Sequence, residues 1–285
     1  MSAIHRAGYR ILRKMRAVLP KGSSSDASRN PMAFRMLHWT RANLVPRSRV
    51  WVQVERGLAE GLWMRLQLPD EVFLWRADHE PGVQGILAKF LRPGWVAYDV
   101  GSYLGFFALA MARAVGSTGH VVAFEPDPEN TARLRENVSR NKMETQIQVV
   151  NAAAWRPLAD DHMPYRQGGK ARSRGGIEAD GISPVLASGE RILVPCTSLD
   201  DFIAQGNPVP QLLKIDVEGG ECAVLAGAET LVTKGKPLII CEVHHADAAR
   251  WIERWLSGRG YRQDWIIPPE QFPRHLVAST ASPAN

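Results

Sequence analysis

The sequence predicts a Rossmann-like α/β fold with a mostly parallel sheet, on three observations. From Gly94 onwards, short apolar runs alternate with helical patterns at the spacing of strand–helix–strand units. A glycine turn stands between the first of these runs and the helix that follows it. Hydrophobic residues make up 45% and charged residues 22% of the 285 residues, which suits a globular chain with a sizeable core.

The core elements follow one another in a regular order. Strands are predicted where short apolar, β-rich runs end at glycine or polar residues, at 95–101, 120–126, 147–153, 212–219 and 237–245. Helices are predicted where apolar residues recur at helical spacing, at 105–115, 128–142, 197–204, 220–233 and 247–261. Residues 156–190 read as irregular, and a final pair of strands is expected after residue 261. The predicted core domain spans 93–280.

Two further parts precede this core. Alternating apolar residues predict short strands within 36–92, followed by a helix at about 80–91 that Pro93 and Gly94 close. Residues 1–35 read as a basic tail and a linker, with a helical pattern at 4–19. That tail is either a weak anchor to an acidic membrane surface or a loosely attached segment, and we favour the loose tail because a single short helix anchors weakly.

Charge and cysteine usage narrow the classes of partner. The formal net charge is +6, but residues 1–25 hold six basic side chains and no acid, so the rest carries 29 charges of each sign. We therefore expect no nucleic-acid partner. The three cysteines show no metal-ligand spacing, no apolar run is long enough to span a membrane, and no signal-peptide core is evident. A cytoplasmic setting is expected.

The glycine turn carries the first chemical signal. Asp99, Gly101, Ser102 and Gly105 lie in DVGSYLG, at the end of the first core strand, where open α/β sheets bind ligands. The nicotinamide-dinucleotide pattern G-x-G-x-x-G is not met, because Asp99 and Leu104 stand where it needs glycine. A carboxylate there disfavours a pyrophosphate and suits a ligand that bears an ammonium group.

Two further polar residues end the next strands. Glu125 closes the second core strand, where an ionised carboxylate can accept hydrogen bonds from both hydroxyls of a ribose. Asn151 closes the third strand, where an adenine edge would lie. Each residue alone has a plainer explanation, as a helix cap, a surface acid or a turn, but together they favour a nucleoside with a cationic tail and no phosphate. S-adenosylmethionine fits that description.

At this point the sequence resembles a known family. The segments DVGSYLGFFAL, VVAFEPDPENTARLRENV, TSLDDF and LLKIDVEGGECAVLAGA resemble those of FkbM-type methyltransferases over about residues 73–245. The resemblance implies a class I methyltransferase fold, with a seven-stranded sheet and one reversed strand. It also implies S-adenosylmethionine as donor and an oxygen acceptor on a sugar, glycan or secondary metabolite. Matching positions extend the cofactor contacts to Glu80, whereas Tyr103 departs from the family pattern.

The candidate catalytic residues lie at the ends of the fourth and fifth core strands. Asp216, Glu242 and His244 stand there, and His244 has an intrinsic pKa suited to accepting a proton. A divalent metal on these three side chains is an alternative that we do not favour, so no metal is predicted. Glu218 and Glu221 follow on the next turn, and helix capping is our preferred interpretation of Glu221.

Other functions stay open at this stage. A nicotinamide-dependent oxidoreductase and a non-catalytic nucleoside-binding protein share the fold class. Lys170, Arg172 and Arg174 lie in a glycine-rich stretch that is either a charged lid for an anionic substrate or a solvated loop, the second being slightly favoured. A small molecule or a glycan is the expected acceptor. The sequence indicates neither the methylated atom nor the oligomeric state.

Overall fold

A computed structural model describes residues 48–68, 70–168, 175–177, 189–266 and 272–280. The basic tail at 1–35 and the basic cluster at 170–174 lie outside the described residues. Within them, no helix combines the length and the apolar character that crossing a membrane requires. The division of the chain into parts at residues 35 and 92 stays a prediction.

A seven-stranded sheet forms the centre of the fold. Its strands, in spatial order, are β12 (Arg262–Trp265), β13 (Arg274–Ser279), β11 (Leu238–Val243), β10 (Leu212–Ile215), β3 (Val96–Val100), β4 (His120–Phe124) and β5 (Ile147–Val150). Only β13 is antiparallel to its neighbours, β11 and β12. The predicted sheet with one reversed strand is confirmed, and this strand order is the class I methyltransferase arrangement that the resemblance implied.

Helices cover both faces of this sheet and bury its apolar strands. They are α2 (Pro81–Phe90), α3 (Phe106–Val115), α4 (Pro128–Arg140), α5 (Leu199–Ala204), α6 (Glu221–Ala226) and α7 (Ala246–Ser257), after a short α1 (Val72–Trp75). Local chemistry sets their starts. Asp127 caps α4 by accepting hydrogen bonds from the N–H groups of Glu129 and Asn130, and Pro128 takes the first helical position. Ser198 caps α5 by accepting from the N–H of Asp201.

A hairpin packs against helix α4 through its backbone. Its strands are β1 (Ser48–Gln53) and β2 (Trp63–Leu68). Asn137 in α4 and Asn141, the residue that caps its carboxyl end one turn later, form hydrogen bonds with the backbone of β2. Asn137 Oδ1 accepts from the N–H of Arg65 at 2.8 Å, and Asn141 both accepts from and donates to the backbone of Trp63 at 2.8 Å. The two amides thereby satisfy an edge that would otherwise lack partners.

A buried glutamate joins the hairpin region to the core. The Glu71 carboxylate accepts two hydrogen bonds from the Arg133 guanidinium, at 2.8 and 2.6 Å, and one from the Tyr103 hydroxyl at 2.9 Å. Glu71 and Arg133 are 1% and 3% exposed, so neither charge could be buried at low cost without the other. We call these three residues the Glu71 clamp, and it connects the hairpin, helix α4 and the glycine turn.

The irregular region predicted at 156–190 is wrong in part. Strands β6 (Ala153–Ala154), β7 (His162–Arg166), β8 (Gly176–Ile177) and β9 (Arg191–Thr197) form a second, small sheet. Strand β7 carries an alternating buried pattern through Met163 and Tyr165, but a proline and a run of polar residues obscure it in the sequence. Pairing with β9, about thirty residues away, supplies the order that the local sequence does not indicate.

The single helix predicted at 220–233 is also wrong in part. Helix α6 ends at Ala226, and a separate helical turn follows at Leu231–Gly235. Gly227 closes α6 because it packs against the backbone of Trp155, where an added Cβ would lie 2.1 Å from the carbonyl oxygen. The Asp200 carboxylate then accepts the N–H groups of Thr230 and Leu231 at 2.7 and 2.8 Å, which starts the second turn independently.

Candidate functional site

A cavity of about 560 Å³ opens at the carboxyl ends of the central strands. Volumes of this size are typical of small-molecule sites. The described residues of its wall come from the ends of the core strands, from the loops and helices that follow them, and from the segment that precedes the core. The polar and aromatic lining includes Phe73, His79, Glu80, Ser102, Tyr103, Glu125, Asn130, Trp155, Tyr165, Lys214, Asp216, Glu218, Glu242 and His244.

The glycine turn forms one wall of this cavity. Gly101 has a φ of +84°, and a Cβ there would lie 1.7 Å from the carbonyl oxygen of Asp216, so only glycine fits. The Ser102 hydroxyl donates to the carbonyl of Asp99 at 2.7 Å and closes the turn. Tyr103, which departs from the family pattern, holds the turn with two hydrogen bonds. Its backbone N–H donates to the Glu125 carboxylate, and its hydroxyl donates to Glu71 within the Glu71 clamp.

Glu125 lies at the cavity wall with its carboxylate held on several sides. It accepts hydrogen bonds from the N–H groups of Tyr103 at 2.8 Å and Asp127 at 3.0 Å, and from the Asn130 amide at 3.3 Å. Burial raises the pKa of Glu125 to about 8, while these donors act in the opposite direction. The carboxyl group is therefore fixed in place and poorly hydrated, and its ionised form, which accepts from hydroxyl donors, predominates above about pH 8.

A buried lysine balances two acids at the centre of the sheet. The Lys214 ammonium lies 3.3 Å from the Asp216 carboxylate and 3.7 Å from that of Asp99, and 4.8 Å from the centre of the Phe107 ring. Burial alone would lower the pKa of Lys214, but the surrounding acids outweigh it and raise that pKa well above its usual range. Lys214 is therefore a permanent cation in the cavity wall.

A hydrogen bond joins the carboxyl groups of Asp216 and Glu242, so the two groups hold one proton between them. Burial opposes ionisation of both, but Lys214, the hydrogen bond from Glu242 and nearby histidines hold the pKa of Asp216 below its usual range. The pKa of Glu242 rises to about 11 through burial, the Asp216 charge and the same hydrogen bond. At neutral pH Asp216 is thus an anion, and Glu242 is a protonated donor that cannot act as a base.

Glu80 reaches the cavity from the start of helix α2. Its backbone is left-handed, with φ of 43°, and its carboxylate lies 3.1 Å from Nε2 of His275 and 3.2 Å from Nε2 of His79. Although burial opposes ionisation, the bond from His275 and the neighbouring His79 and Lys214 lower the pKa of Glu80. Glu80 therefore adds a second anion to the region around Lys214.

His244 lies among carboxylates. Its Nδ1 is 2.7 Å from the Glu221 carboxylate, and its Nε2 is 3.4 Å from Glu218 and 3.9 Å from Glu242. Burial would lower the pKa of His244, but the bond to Glu221 and the acid charges raise it to about 9. The raised pKa stabilises the folded chain fully below about pH 6.5, and this contribution is lost as the pH rises through about 9.

The predicted site residues divide into two groups. The structure brings Glu80, Gly101, Ser102, Glu125, Asp216, Glu242 and His244 together around the cavity. Asp99, Gly105 and Asn151 do not line it. The carboxylate of Asp99 is fully buried behind Lys214, Gly105 packs against Leu134, and the Asn151 amide donates to the carbonyls of Glu125 and Pro126. These three residues contact the residues of the wall on the side away from the cavity and do not face the cavity themselves.

Sequence reasoning missed several lining residues, among them Lys214, Trp155 and His79. Lys214 stands out in LLKIDV as a cation inside an otherwise apolar strand, and that signal could have identified it. Trp155 is 1% exposed, and its indole N–H has no hydrogen-bond partner among the described residues. His79 lies beside Glu80, and burial lowers its pKa, which keeps it neutral. Nothing local in the sequence distinguishes Trp155 or His79 from packed residues.

The carboxylates and histidines also allow a metal site to be considered. Ligand atoms of Asp216, Glu242 and His244 lie within 4.8 Å of one another, and so do those of Glu80, Glu242 and His275. Lys214 already places a positive charge 3.3 Å from Asp216, which neutralises charge that a cation would otherwise balance. We assign no metal to this cluster.

Comparison with known proteins identifies the family. A model described as the methyltransferase FkbM domain matches residues 99–263. A 31-O-demethyl-FK506 methyltransferase from Streptomyces tacrolimicus is 32% identical over 74% of this chain and 84% of its own length. A hexuronic acid methyltransferase from Haloferax volcanii is 27% identical over 75% of this chain and 87% of its own length.

A solved structure of an FkbM methyltransferase from Methylobacillus flagellatus aligns with a TM-score of 0.48 and 17% identity, over 65% of this chain and 43% of that one. The family match spans more than half of the chain, and the Streptomyces relative agrees with it. This chain therefore belongs to the FkbM methyltransferase family and is an S-adenosylmethionine-dependent methyltransferase.

Proposed function

We propose that the protein transfers a methyl group from S-adenosylmethionine to a hydroxyl oxygen of a sugar, a glycan or a secondary metabolite. The observation that carries this proposal is His244, a group able to accept a proton once it is neutral, whose ring nitrogen lies within 4.8 Å of the Asp216 carboxylate in one cavity wall. A hydroxyl acceptor must lose a proton during methyl transfer, whereas a carbanion or thiolate acceptor would need no such group. Two relatives, a 31-O-demethyl-FK506 methyltransferase and a hexuronic acid methyltransferase, are named for acceptors that agree with this class.

The cavity residues fit the parts of S-adenosylmethionine. Glu125 would hold the ribose hydroxyls, and the buried Trp155 N–H, which has no partner among the described residues, would donate to the adenine. Glu80 and Asp216 would hold the ammonium, and Lys214 the carboxylate, of the methionine end. The described wall holds five carboxyl groups, of which Glu242 is protonated, against the cations Lys214 and His244, so acids still outnumber cations around a ligand whose sulfonium and ammonium are cationic.

When bound, S-adenosylmethionine supplies an electrophilic methyl group. The protein's own residues do the rest of the work: they hold the acceptor oxygen in line with the methyl carbon and exclude water. Nε2 of His244 takes the hydroxyl proton as the new bond forms. The protonated Glu242 donates its hydrogen bond to Asp216 and thereby fixes the carboxylate that would hold the ammonium.

Replacement of Glu125 tests the ribose assignment. At pH 9, where the Glu125 carboxylate is ionised, Glu125→Ala is expected to weaken S-adenosylhomocysteine binding by about 1–3 kcal/mol, the scale of a hydrogen bond to a charged group. Glu125→Gln, which keeps one acceptor oxygen, should lose less. Isothermal titration calorimetry measures both, with Glu144→Ala as a control because Glu144 is an exposed acid outside the cavity wall. Unchanged affinity in Glu125→Ala would contradict the assignment.

The pH dependence of transfer tests His244. The base must be neutral, and its pKa in the free protein is about 9, so kcat/KM should rise about tenfold per pH unit from pH 7 towards 9 and then level off. His244→Gln should remove this rising limb and lower kcat by roughly 10²- to 10⁴-fold, the usual contribution of a positioned base. A variant that keeps both the limb and the rate would show that another group takes the proton.

A transfer screen tests the proposed function as a whole. Methyl-labelled S-adenosylmethionine would be incubated with the protein and a panel of neutral sugars, uronic acids and hydroxylated polyketides. Product NMR would then place the label on oxygen, nitrogen or carbon. We expect an O-methyl product that Asp216→Asn and His244→Gln both diminish. Methylation of nitrogen or carbon alone would overturn the proposal.

A further inference from the structure

We infer that Glu221 is a positioning residue for His244: its buried carboxylate holds the Nδ1–H of the imidazole and leaves Nε2 to face the acceptor. This inference rests on the proposed function, in which His244 takes the acceptor's proton. It assigns a role in the reaction to a residue for which the sequence favoured helix capping.

The geometry does not support capping. Glu221 is the first residue of α6, after Gly220, and no hydrogen bond from an N–H group of α6 itself to its carboxylate is present among the described residues. The Glu221 carboxylate instead accepts the N–H of Gly219, two residues before it, at 2.8 Å, and lies 2.7 Å from Nδ1 of His244. These two contacts use the same oxygen, so they aim the carboxylate at the ring and not at the helix's own N–H groups.

The burial of Glu221 makes this contact costly to lose. The residue is 0% exposed, and its second carboxylate oxygen has no hydrogen-bond partner among the described residues. A carboxylate removed from water costs several kcal/mol unless a cation lies beside it. Within the described part of the chain, the His244 ring is the group that forms an ion pair with it. Glu221 therefore both fixes the orientation of the His244 ring and stabilises the charged form of that ring.

The contact also selects the tautomer. A carboxylate only accepts hydrogen bonds, so Nδ1 keeps its hydrogen whether the ring is charged or neutral. The nitrogen that gains and loses a proton is then Nε2, which lies 3.4 Å from Glu218 and 3.9 Å from Glu242. Asp216, just after β10, also raises the pKa of the His244 ring through its negative charge, and Lys214 lies 3.3 Å from Asp216. On the β13 side, His275 lies 3.9 Å from Glu242.

The proton balance follows from this arrangement. As the acceptor oxygen bonds to the methyl carbon, the electron pair of the broken carbon–sulfur bond stays on sulfur, and the hydroxyl proton moves to Nε2. The imidazole becomes an imidazolium whose new charge faces Glu221 at 2.7 Å. Glu221 thus stabilises the charge that develops during transfer, without touching the acceptor itself.

NMR of the full chain labelled with ¹⁵N-histidine tests the inference without turnover. His244→Gln identifies the His244 signals, and the two ring nitrogens are followed from pH 6 to 10. We expect the neutral ring to carry its hydrogen on Nδ1. In Glu221→Gln the His244 pKa should fall by at least one unit. Glu229→Gln, an exposed acid paired with Arg259, is the matched control and should leave His244 unchanged.

Activity supplies the second readout. The rising limb of kcat/KM in Glu221→Gln should move to lower pH together with the NMR pKa, while kcat on the alkaline plateau falls about 10- to 100-fold. Glu221→Asp, which keeps the charge on a shorter chain, should restore part of this loss. A residue with a purely structural role would lower stability and leave the pH profile in place.

The outcomes separate the two proposals. A neutral ring with its hydrogen on Nε2, or a pKa and pH profile that Glu221→Gln does not move, would overturn the positioning role. If Glu221→Gln does not fold, the tautomer of the His244 ring in the wild-type protein is by itself the test of the positioning role. If the tautomer is as expected but no hydroxyl is methylated, the proposed function fails and not the Glu221 contact.

Discussion

Gly101→Ala is expected to abolish measurable cofactor binding and to lower the free energy of unfolding by about 2–4 kcal/mol, the range for overpacking joined to backbone strain. The added Cβ would lie 1.7 Å from the carbonyl oxygen of Asp216, which is backbone and cannot rotate away. Strands β3 and β10 would have to separate at their carboxyl ends. The cavity lies at those ends, so its wall would be displaced together with Asp216.

Gly116→Ala is the matched control for this change. Gly116 also has a positive φ, +70°, but an added Cβ would meet nothing within 4 Å. With ψ of −170°, Gly116 lies in a region that essentially only glycine adopts, so its substitution should cost only that backbone penalty, about 1–3 kcal/mol, and leave binding intact. Urea unfolding and calorimetry with S-adenosylhomocysteine measure the two effects. Equal losses in the two variants would show that the close approach of Gly101 to Asp216 is not what makes glycine necessary.

Lys214→Met is expected to destabilise the folded chain by about 3–5 kcal/mol, the cost of leaving a buried charge without its partner. The substitution keeps most of the side-chain length but removes the ammonium, and with it the contacts to Asp99, Asp216 and the Phe107 ring. Asp99 is fully buried, and neither of its oxygens has a hydrogen-bond partner among the described residues. Its carboxylate would then have to take up a proton.

A second variant identifies the cause of that loss. Lys214→Met combined with Asp99→Asn removes the more deeply buried of the two acids that lose their partner and should recover more than 1 kcal/mol, the size of coupling expected between contacting groups. Lys89→Met, on the exposed face of α2, should change stability by no more than about 0.5 kcal/mol. Thermal and urea unfolding at pH 7 provide the comparison. If the double variant is no more stable than Lys214→Met, the buried ion pair does not explain the loss.

The sequence predicted the central sheet well because its strands are buried on both faces. Such strands read as short apolar runs, and their ends are marked by residues that the turns require, such as Gly101. The small second sheet was not predicted, since β7 and β9 are ordered by their pairing with each other. Helix α6 was predicted too long because its end depends on a contact between Gly227 and Trp155 that no local pattern encodes.

The sequence indicated which strand ends form the candidate site but not the direction in which their side chains point. Strand ends correctly located Glu125, Asp216 and His244 beside one cavity. They did not indicate that Asp99 lies behind Lys214, or that the Asn151 amide bonds to two backbone carbonyls. Likewise, the protonated state of Glu242 follows from its contact with Asp216, which depends on the distance between two strands. These properties arise from pairs of residues that are distant in sequence.

The Glu71 clamp has a consequence for recombining members of this family. The matched family domain begins at residue 99, yet Phe73, His79 and Glu80 belong to the cavity wall. Exchanging the amino-terminal segment between relatives would therefore replace part of the pocket and not merely an appendage. Such a chimaera would need compatible residues at positions 103 and 133, because a foreign segment would otherwise leave the Arg133 guanidinium buried without its carboxylate.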